Sequence, residues 1–254
     1  MKLTVLILTK NEEKNIERAI KSVLDIAEEI VVLDSGSTDR TVEIAKNLGA
    51  KVFFREFDTY SDQRNYGFSI CNGDWILVLD ADEEVSEKLR ENIKRELENP
   101  KFDCYEVPRR TYYLGRFLKY VWYPEYRKRL FRKGKVRYEG KLHEEVICDG
   151  KVGRLEGDLY HYSYKNLYHQ FIKTIDYARS MAEIMHSEGK KFKLYKLIIN
   201  PFVIFFKLYF LKLGFLEGTR GLIIAFSGFL YVFLKYAFLY ELKLKEKYKD
   251  KLWL

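Results

Sequence analysis

The sequence predicts an α/β protein, an open and mostly parallel sheet with helices on both faces, followed by a helical, aromatic-rich C-terminal segment. Three observations lead there. Short continuous apolar runs recur at residues 3–8, 30–33 and 75–79, as strands buried on both faces require. Segments with helical spacing alternate with them. From residue 194 to 240 the chain turns mostly apolar, with aromatics and lysine interleaved.

The elements follow in order. Residues 3–8 form a first strand, and Ile16, Ala19, Ile20, Val23 and Leu24 recur at helical spacing after it. Ile30–Leu33 is a second strand that runs into the polar loop Asp34-Ser35-Gly36-Ser37-Thr38-Asp39. Thr41–Leu48 reads as a helix ended by Gly49, and Lys51–Arg55 as a third strand. Residues 62–70 read as helix, Asn72-Gly73-Asp74 as a turn, and Trp75–Leu79 as a fourth strand. Ser86 or a neighbour caps a charged helix through Leu97. Shorter strand-like pieces fill 102–162, and an amphipathic helix is expected over 165–188. This organisation divides the chain at about residue 162. A domain over 1–162 holds a nucleotide-binding part near 1–100 and an acceptor part near 101–162. A helical region follows over 163–254.

Composition narrows the classes. The net charge of +8 favours an anionic partner, whether nucleic acid, anionic lipid or a phosphorylated small molecule. No zinc-finger spacing or dense basic block supports nucleic acid, so none is expected. Three widely spaced cysteines, Cys71, Cys104 and Cys148, argue against a disulfide framework and for a reducing, cytoplasmic compartment. The N-terminus has no signal-peptide pattern.

Three polar clusters carry candidate chemistry. In open parallel sheets ligands bind at the C-terminal strand ends, where residues 9–13, 34–39 and 80–84 should fall. In Asp80-Ala81-Asp82, strand alternation would aim both carboxylates at one site, a way to hold Mg²⁺ or Mn²⁺ with substrate phosphates. The same triplet also suits the acidic start of a helix. Asp34 can accept hydrogen bonds from a ribose or base, and equally Asp34–Asp39 can be a turn that caps the next helix. In His143-Glu144-Glu145 a carboxylate can take a proton from an attacking hydroxyl while His143 binds metal, or the stretch is an exposed loop. Arg127–Arg132 can counter diphosphate charge or form a solvated basic face.

Taken together, the motifs resemble the inverting glycosyltransferases of family two, which have the GT-A fold, a Rossmann-like sheet. The matching residues are Thr9-Lys10-Asn11-Glu12, Val32–Asp39, Gln63-Arg64-Asn65-Tyr66-Gly67 and Asp80-Ala81-Asp82. More narrowly, Arg129-Leu130-Phe131-Arg132, Gly140–Glu144 and Gly214-Phe215-Leu216-Glu217-Gly218 resemble the branch that glycosylates the lipopolysaccharide core. The resemblance implies a metal-dependent transfer, with inversion, from a nucleotide-diphosphate sugar such as a UDP-sugar to a lipid-linked glycan. It implies that Thr9, Asn11, Glu12, Asp34 and Asp39 surround the nucleoside and that Arg64 lies near the diphosphate. Asp80 would lie near the ribose or metal, Asp82 would ligate the metal with His143 a further ligand, and Glu144 or Glu145 would be the base. Lys10 departs from the residue many members carry there.

Gly221–Tyr240 is 20 residues with one charge, Lys235, long enough to span a bilayer. Residues 194–213 carry Lys196, Lys207 and Lys212, which disfavours spanning. Helices lying in the interface are expected, at the cytoplasmic face of the inner membrane, peripheral or monotopic. A buried hairpin, a dimer interface and a true span are the alternatives. Two rival functions stand beside glycosyl transfer. One is a nucleotidyltransferase, which needs a Gly-rich loop after the first strand that this chain lacks. The other is a catalytically silent membrane-binding scaffold.

Overall fold

A computed structural model of the chain describes residues 1–140, 145–249 and 252. Two compact units emerge. One comprises Met1–Thr111 with Pro124–Tyr162, and the other Tyr112–Tyr123 with Ser163–Leu254.

The first unit is built on four parallel strands, β1 (Leu3–Thr9), β2 (Glu29–Asp34), β3 (Lys51–Phe54) and β4 (Trp75–Asp80), in spatial order β3-β2-β1-β4. β1, β2 and β4 are buried on both faces, which explains their unbroken apolar runs, whereas β3 is the exposed edge strand. Val5, Ile7, Val32, Leu77 and Leu79 face one core, closed by Ile16, Ala19 and Ile20 of α1 (Ile16–Lys21) and by Leu89 and Ile93 of α4 (Glu87–Glu98). Leu6, Val31, Leu33, Ile76 and Val78 face the other, where Tyr66, Phe68 and Ile70 of α3 (Tyr60–Ile70) pack. Each fully buried Val, Leu or Ile among them contributes roughly 1.5–3 kcal/mol by leaving water. Gly67 lets α3 lie close to β1, because a Cβ there would come within 2.5 Å of the Leu6 side chain. Ser86 caps α4 as expected, its hydroxyl accepting from Leu89 N–H. The helix α2 (Thr41–Asn47) joins β2 to β3.

Past β4 the chain reverses at once. Ala81 and Asp82 form a turn into the short strand β5 (Glu83–Val85). The sheet then grows by β8 (Glu125–Arg132), antiparallel to both β4 and β6 (Cys104–Tyr113). β12 (Leu159–His161) runs parallel to β6 and antiparallel to β5. A separate hairpin pairs β9 (Val136–Glu139) with β10 (Glu145–Cys148). Two strands complete the set, β7 (Arg116–Phe117) and β11 (Val152–Arg154), both paired with β6. The result is the expected mixed α/β, GT-A type of fold, mostly parallel, with antiparallel strands that the apolar pattern did not foretell.

Cys104 and Cys148 are joined as a disulfide, which links β6 to the hairpin, while Cys71 is a buried free thiol. The expectation of unpaired cysteines is therefore corrected. Two positions 44 residues apart in sequence meet because β6 and β10 bring them together, and the cysteine count no longer argues for a reducing compartment.

The second unit is helical. The helices are α5 (Leu167–Ser187), α6 (Leu194–Phe206) and α7 (Thr219–Tyr248). A π-helical turn at Lys207–Leu211 and a 3-10 turn at Gly214–Glu217 reverse the chain between α6 and α7. Residues 112–123 join this unit, with Tyr113, Leu118 and Val121 packed against Ile224. Glu217 fastens them, accepting from Lys119 N–H at 2.6 Å and Tyr120 N–H at 2.9 Å while pairing with Arg116 at 2.5 Å.

Candidate active site

The parallel strands end in line. Thr9 lies opposite Asp34, Leu8 opposite Asp80, and Asp34 opposite Phe54. This edge therefore collects the polar clusters of the sequence, as open α/β sheets do at their ligand sites.

The first two clusters build one another. Gly36 turns back with a φ of 87°, so that its N–H and that of Ser37 donate to Asp34 Oδ2 at 3.0 and 2.9 Å. Asn11, itself at a φ of 56°, donates its N–H to Ser37 Oγ and accepts from Thr38 N–H at 2.8 Å. Glu12 donates its N–H to Thr41 Oγ1 and accepts from the Asn15 side chain. Asp39 accepts from the N–H and hydroxyl of Thr41 and from Glu13 N–H. Its surroundings oppose charge by desolvation, yet the Thr41 and Glu13 bonds prevail and hold its carboxyl below the usual range. The loop-shaping and helix-capping alternative thus describes the local bonds of Asp34 and Asp39. Thr9 differs, because its Oγ1 is buried without a hydrogen-bond partner among the described residues. A buried hydroxyl in that state costs roughly 1–3 kcal/mol until something bonds it.

The third cluster is a chain of alternating charges. Asp80 Oδ1 accepts from Arg64 at 3.1 Å and Asp80 Oδ2 from Arg129 at 2.7 Å. Arg129 also reaches Glu83 at 2.6 Å, and Glu83, fully buried, lies 3.5 Å from Arg109. Arg109 in turn pairs with Glu125 at 2.7 Å. Glu83 Oε2 also accepts from Asp80 N–H, closing the turn. Desolvation opposes ionisation of Asp80, but Arg129 and then Arg64 outweigh it and hold the carboxyl far below the ordinary range. Arg129 is held fully protonated by Asp80 and Glu83 against its burial. Glu83 and Arg109 were not singled out from the sequence. The signal for Glu83 was its place two residues after Ala81, on the strand that follows the turn.

Asp82 does not continue the strand, so alternation along β4 does not set its direction. The turn does, and it brings Asp82 Oδ2 to 3.5 Å from His161 Nε2. His161 reaches this place because β12 pairs with β5. Sequence reasoning missed it, since 79 residues separate it from Asp82. Among the described residues no group of three or more His, Cys, Asp or Glu converges as a metal cluster. The donor chemistry still fits a divalent cation of the Mg²⁺ or Mn²⁺ kind at Asp82 and His161, if diphosphate oxygens and water complete the shell. Asp80 is less open to metal, because each of its oxygens is on a guanidinium.

His143 and Glu144 lie outside the described residues. Glu145 is exposed at the start of β10, opposite Glu139. The hairpin is fastened to α3: Asn65 exchanges two hydrogen bonds with the Tyr138 backbone, and Ser61 donates to the Gly140 carbonyl. Asn65 adjoins Arg64, the residue that reaches Asp80.

Residues 4–158 match the Glycosyl transferase family 2 profile. An uncharacterised glycosyltransferase of Rickettsia typhi is 33% identical over 260 residues, which cover 97% of this chain and 89% of that protein. The lipopolysaccharide core biosynthesis glycosyltransferase LpsC of Rhizobium meliloti is 31% identical over 253 residues, covering 94% and 92%. Among solved structures, S. aureus TarS aligns at a TM-score of 0.48 and 18% identity, over 71% of this chain and 40% of that one. With its family motifs ranged along one sheet edge and the profile matched over more than half its length, this chain is a glycosyltransferase and belongs to glycosyl transferase family 2.

Proposed function

We propose that the protein transfers a sugar, with inversion, from a UDP-sugar or a related nucleotide-diphosphate sugar to a hydroxyl of a lipid-linked glycan such as lipopolysaccharide core. The observation that carries the reading is Asp82 facing His161 beside an Asp80 already held by two arginines. The similarity to LpsC, which spans nearly the whole chain, supports the acceptor class.

In this reading the unpartnered Thr9 hydroxyl bonds the nucleoside, with Asn11, Glu12, Asp34 and Asp39 shaping the loops around it. Asp80 keeps Arg64 and Arg129 oriented, so positive charge is in place before the diphosphate departs. Asp82 and His161 would hold a divalent cation, Mg²⁺ or Mn²⁺, which supplies further charge neutralisation at the leaving diphosphate. The acceptor oxygen bonds to the anomeric carbon as the carbon–diphosphate bond breaks. Glu144, or Glu145 next to it, takes the hydroxyl proton. The protein works at the cytoplasmic face of the inner membrane, where such acceptors are assembled.

Calorimetry with a panel of nucleotide sugars, with and without divalent ions, tests the donor class. Asp82→Asn, nearly unchanged in shape, should lower metal-dependent turnover by at least about 10²-fold. Wild-type turnover in that variant, with divalent ions still required, would overturn the assignment of Asp82. No turnover of any nucleotide sugar by the intact chain would favour the silent scaffold.

A further inference from the structure

The second unit exposes apolar surface in an ordered way. On α6, Ile198, Ile199, Phe202, Val203 and Phe206 are about half exposed, and they recur at helical spacing as one stripe. On α7, Leu222, Phe226 and Phe233 are exposed on one side, while Ile224, Val232 and Leu239 are buried on the other. The stripes join, because Phe202 meets Phe229 edge-on at 5.1 Å and Phe229 stacks with Phe226 at 5.9 Å. Gly228 permits the closeness, since a Cβ there would come within 2.5 Å of Leu208. The joined face carries no charge. A contiguous apolar face of this kind marks an interaction surface.

Charge identifies the occupant. Between residues 190 and 240 the chain carries eight basic residues and one acidic one, Glu217, which is buried against Arg116. Lys196 and Lys207 lie eleven residues apart, three helical turns, and so border the α6 stripe on one side. Lys193, Lys196, Lys207 and Lys212 form no ion pair among the described residues. A second copy laid symmetrically on this face would bring like-charged borders together, whereas lipid phosphates complement them.

Both segments are apolar and long enough to be candidates for crossing a bilayer, 18 residues at Leu194–Leu211 and 30 at Thr219–Tyr248. Their neighbour argues against crossing. α5 lies along α7, with Gln170 bonded to Ser227 at one end and His186 paired with Glu246 at the other. It exposes Asp176, Arg179 and Glu183 along its length. An inserted α7 would draw these charges into hydrocarbon.

We propose that the second unit docks flat on an anionic lipid leaflet through the joined outer faces of α6 and α7. Phe202, Phe206 and Phe226 enter the acyl boundary, and Lys196, Lys207 and Lys212 meet the phosphates. This deepens the reading of a lipid-linked acceptor, on which its purpose rests, and its test reads binding without turnover, so the two can fail separately.

The test is co-sedimentation of the full chain with phosphatidylcholine vesicles and with vesicles containing phosphatidylglycerol. Binding to the anionic vesicles should be at least about tenfold stronger and should weaken with salt. Alkaline carbonate should release the protein. Phe202→Asp with Phe226→Asp should lower binding to both vesicle types by about tenfold or more while circular dichroism and melting stay unchanged. Lys196→Gln with Lys207→Gln, which leaves the apolar face intact, should reduce only the anionic preference. The proposal is overturned if the chain resists alkaline extraction, because it then spans. It is equally overturned if the chain stays in the supernatant with anionic vesicles at low salt, or if the two aspartates dissociate a dimer and leave vesicle binding unchanged.

Discussion

Each unit hides a glutamate almost completely, Glu83 in the first and Glu217 in the second, and each sets it against arginine. Their surroundings differ in kind. Glu217 accepts from two backbone N–H groups and one guanidinium, and all three donors belong to the loop it fastens. Glu83 accepts from a single backbone N–H, that of Asp80, on one oxygen. Its other oxygen faces Arg129 and Arg109, and through Arg129 it is coupled to the Asp80 carboxylate at the strand edge where the family motifs gather. A buried carboxylate that closes on backbone is a clasp. One that belongs to an alternating chain of charges fixes the direction of cations elsewhere. Burial alone does not separate the two roles, and the identity of the partners does.

The largest expected effect breaks the charge chain. Arg129→Met leaves Asp80 and Glu83 facing each other without their shared cation, and should destabilise the first unit by roughly 3–5 kcal/mol. Denaturant melts measure it, and a loss below about 1 kcal/mol would mean that the chain is far better solvated than its burial indicates. The next effect is chemical. Glu144→Gln should lower sugar transfer by at least about 10²-fold while donor binding and stability stay as they were. Glu145→Gln should be milder, and a reversed order of the two variants would move the base to Glu145.

The parallel half of the sheet was legible because burial on both faces writes an unbroken apolar run, as in Leu3–Leu8 and Trp75–Leu79. The antiparallel half was not. β8 carries Arg127, Lys128 and Arg129 in succession, so it reads as a basic surface until the carboxylates that face it are placed. Asp80 and Asp82 were visible as a pair, but their separate fates were not. The turn at Ala81-Asp82 gives one to arginine and the other to His161. His161 and the Cys104–Cys148 pairing share a cause of invisibility: one depends on strand pairing and the other on packing between distant segments, which local periodicity does not encode. Glu217 stood out only as part of a family-like motif, and its bonds explain why a glutamate is needed there.

The clasp itself can be dissected by two substitutions. Glu217→Ala leaves the Lys119 and Tyr120 N–H groups without their acceptor and should cost roughly 1–3 kcal/mol. Glu217→Gln keeps an oxygen for both N–H groups and loses mainly the charged contact with Arg116, so it should recover most of that loss. Thermal melts of the two variants give the comparison. Equal losses would show that the charge on Glu217, rather than its capping of the loop backbone, does the fastening, and the contrast with Glu83 would disappear.

The smallest effect concerns a carboxylate that belongs to neither role. Glu29, at the start of β2, accepts from Lys51, from the N–H and side chain of Asn72, and from the Thr4 hydroxyl, and so ties β1, β2, β3 and the α3–β4 turn together. Desolvation works against its charge, but the Lys51 and Asn72 bonds, with Thr4, prevail and bring its pKa down to about 2. An ordinary glutamate titrates near about 4.3. The folded state therefore binds the proton less readily than the unfolded chain. The stabilisation is fully present above the unfolded value and is lost as pH falls toward about 2. Urea melts of the wild type should weaken across that window by roughly 1–3 kcal/mol more than melts of Glu29→Gln, whose stability should be flatter there. Because Glu29 lies at the opposite end of the strands from Asp34 and Asp80, the substitution should leave donor binding at neutral pH unchanged. Parallel pH curves for the two proteins would show that the hydrogen bonds to Glu29 hold equally well without its charge.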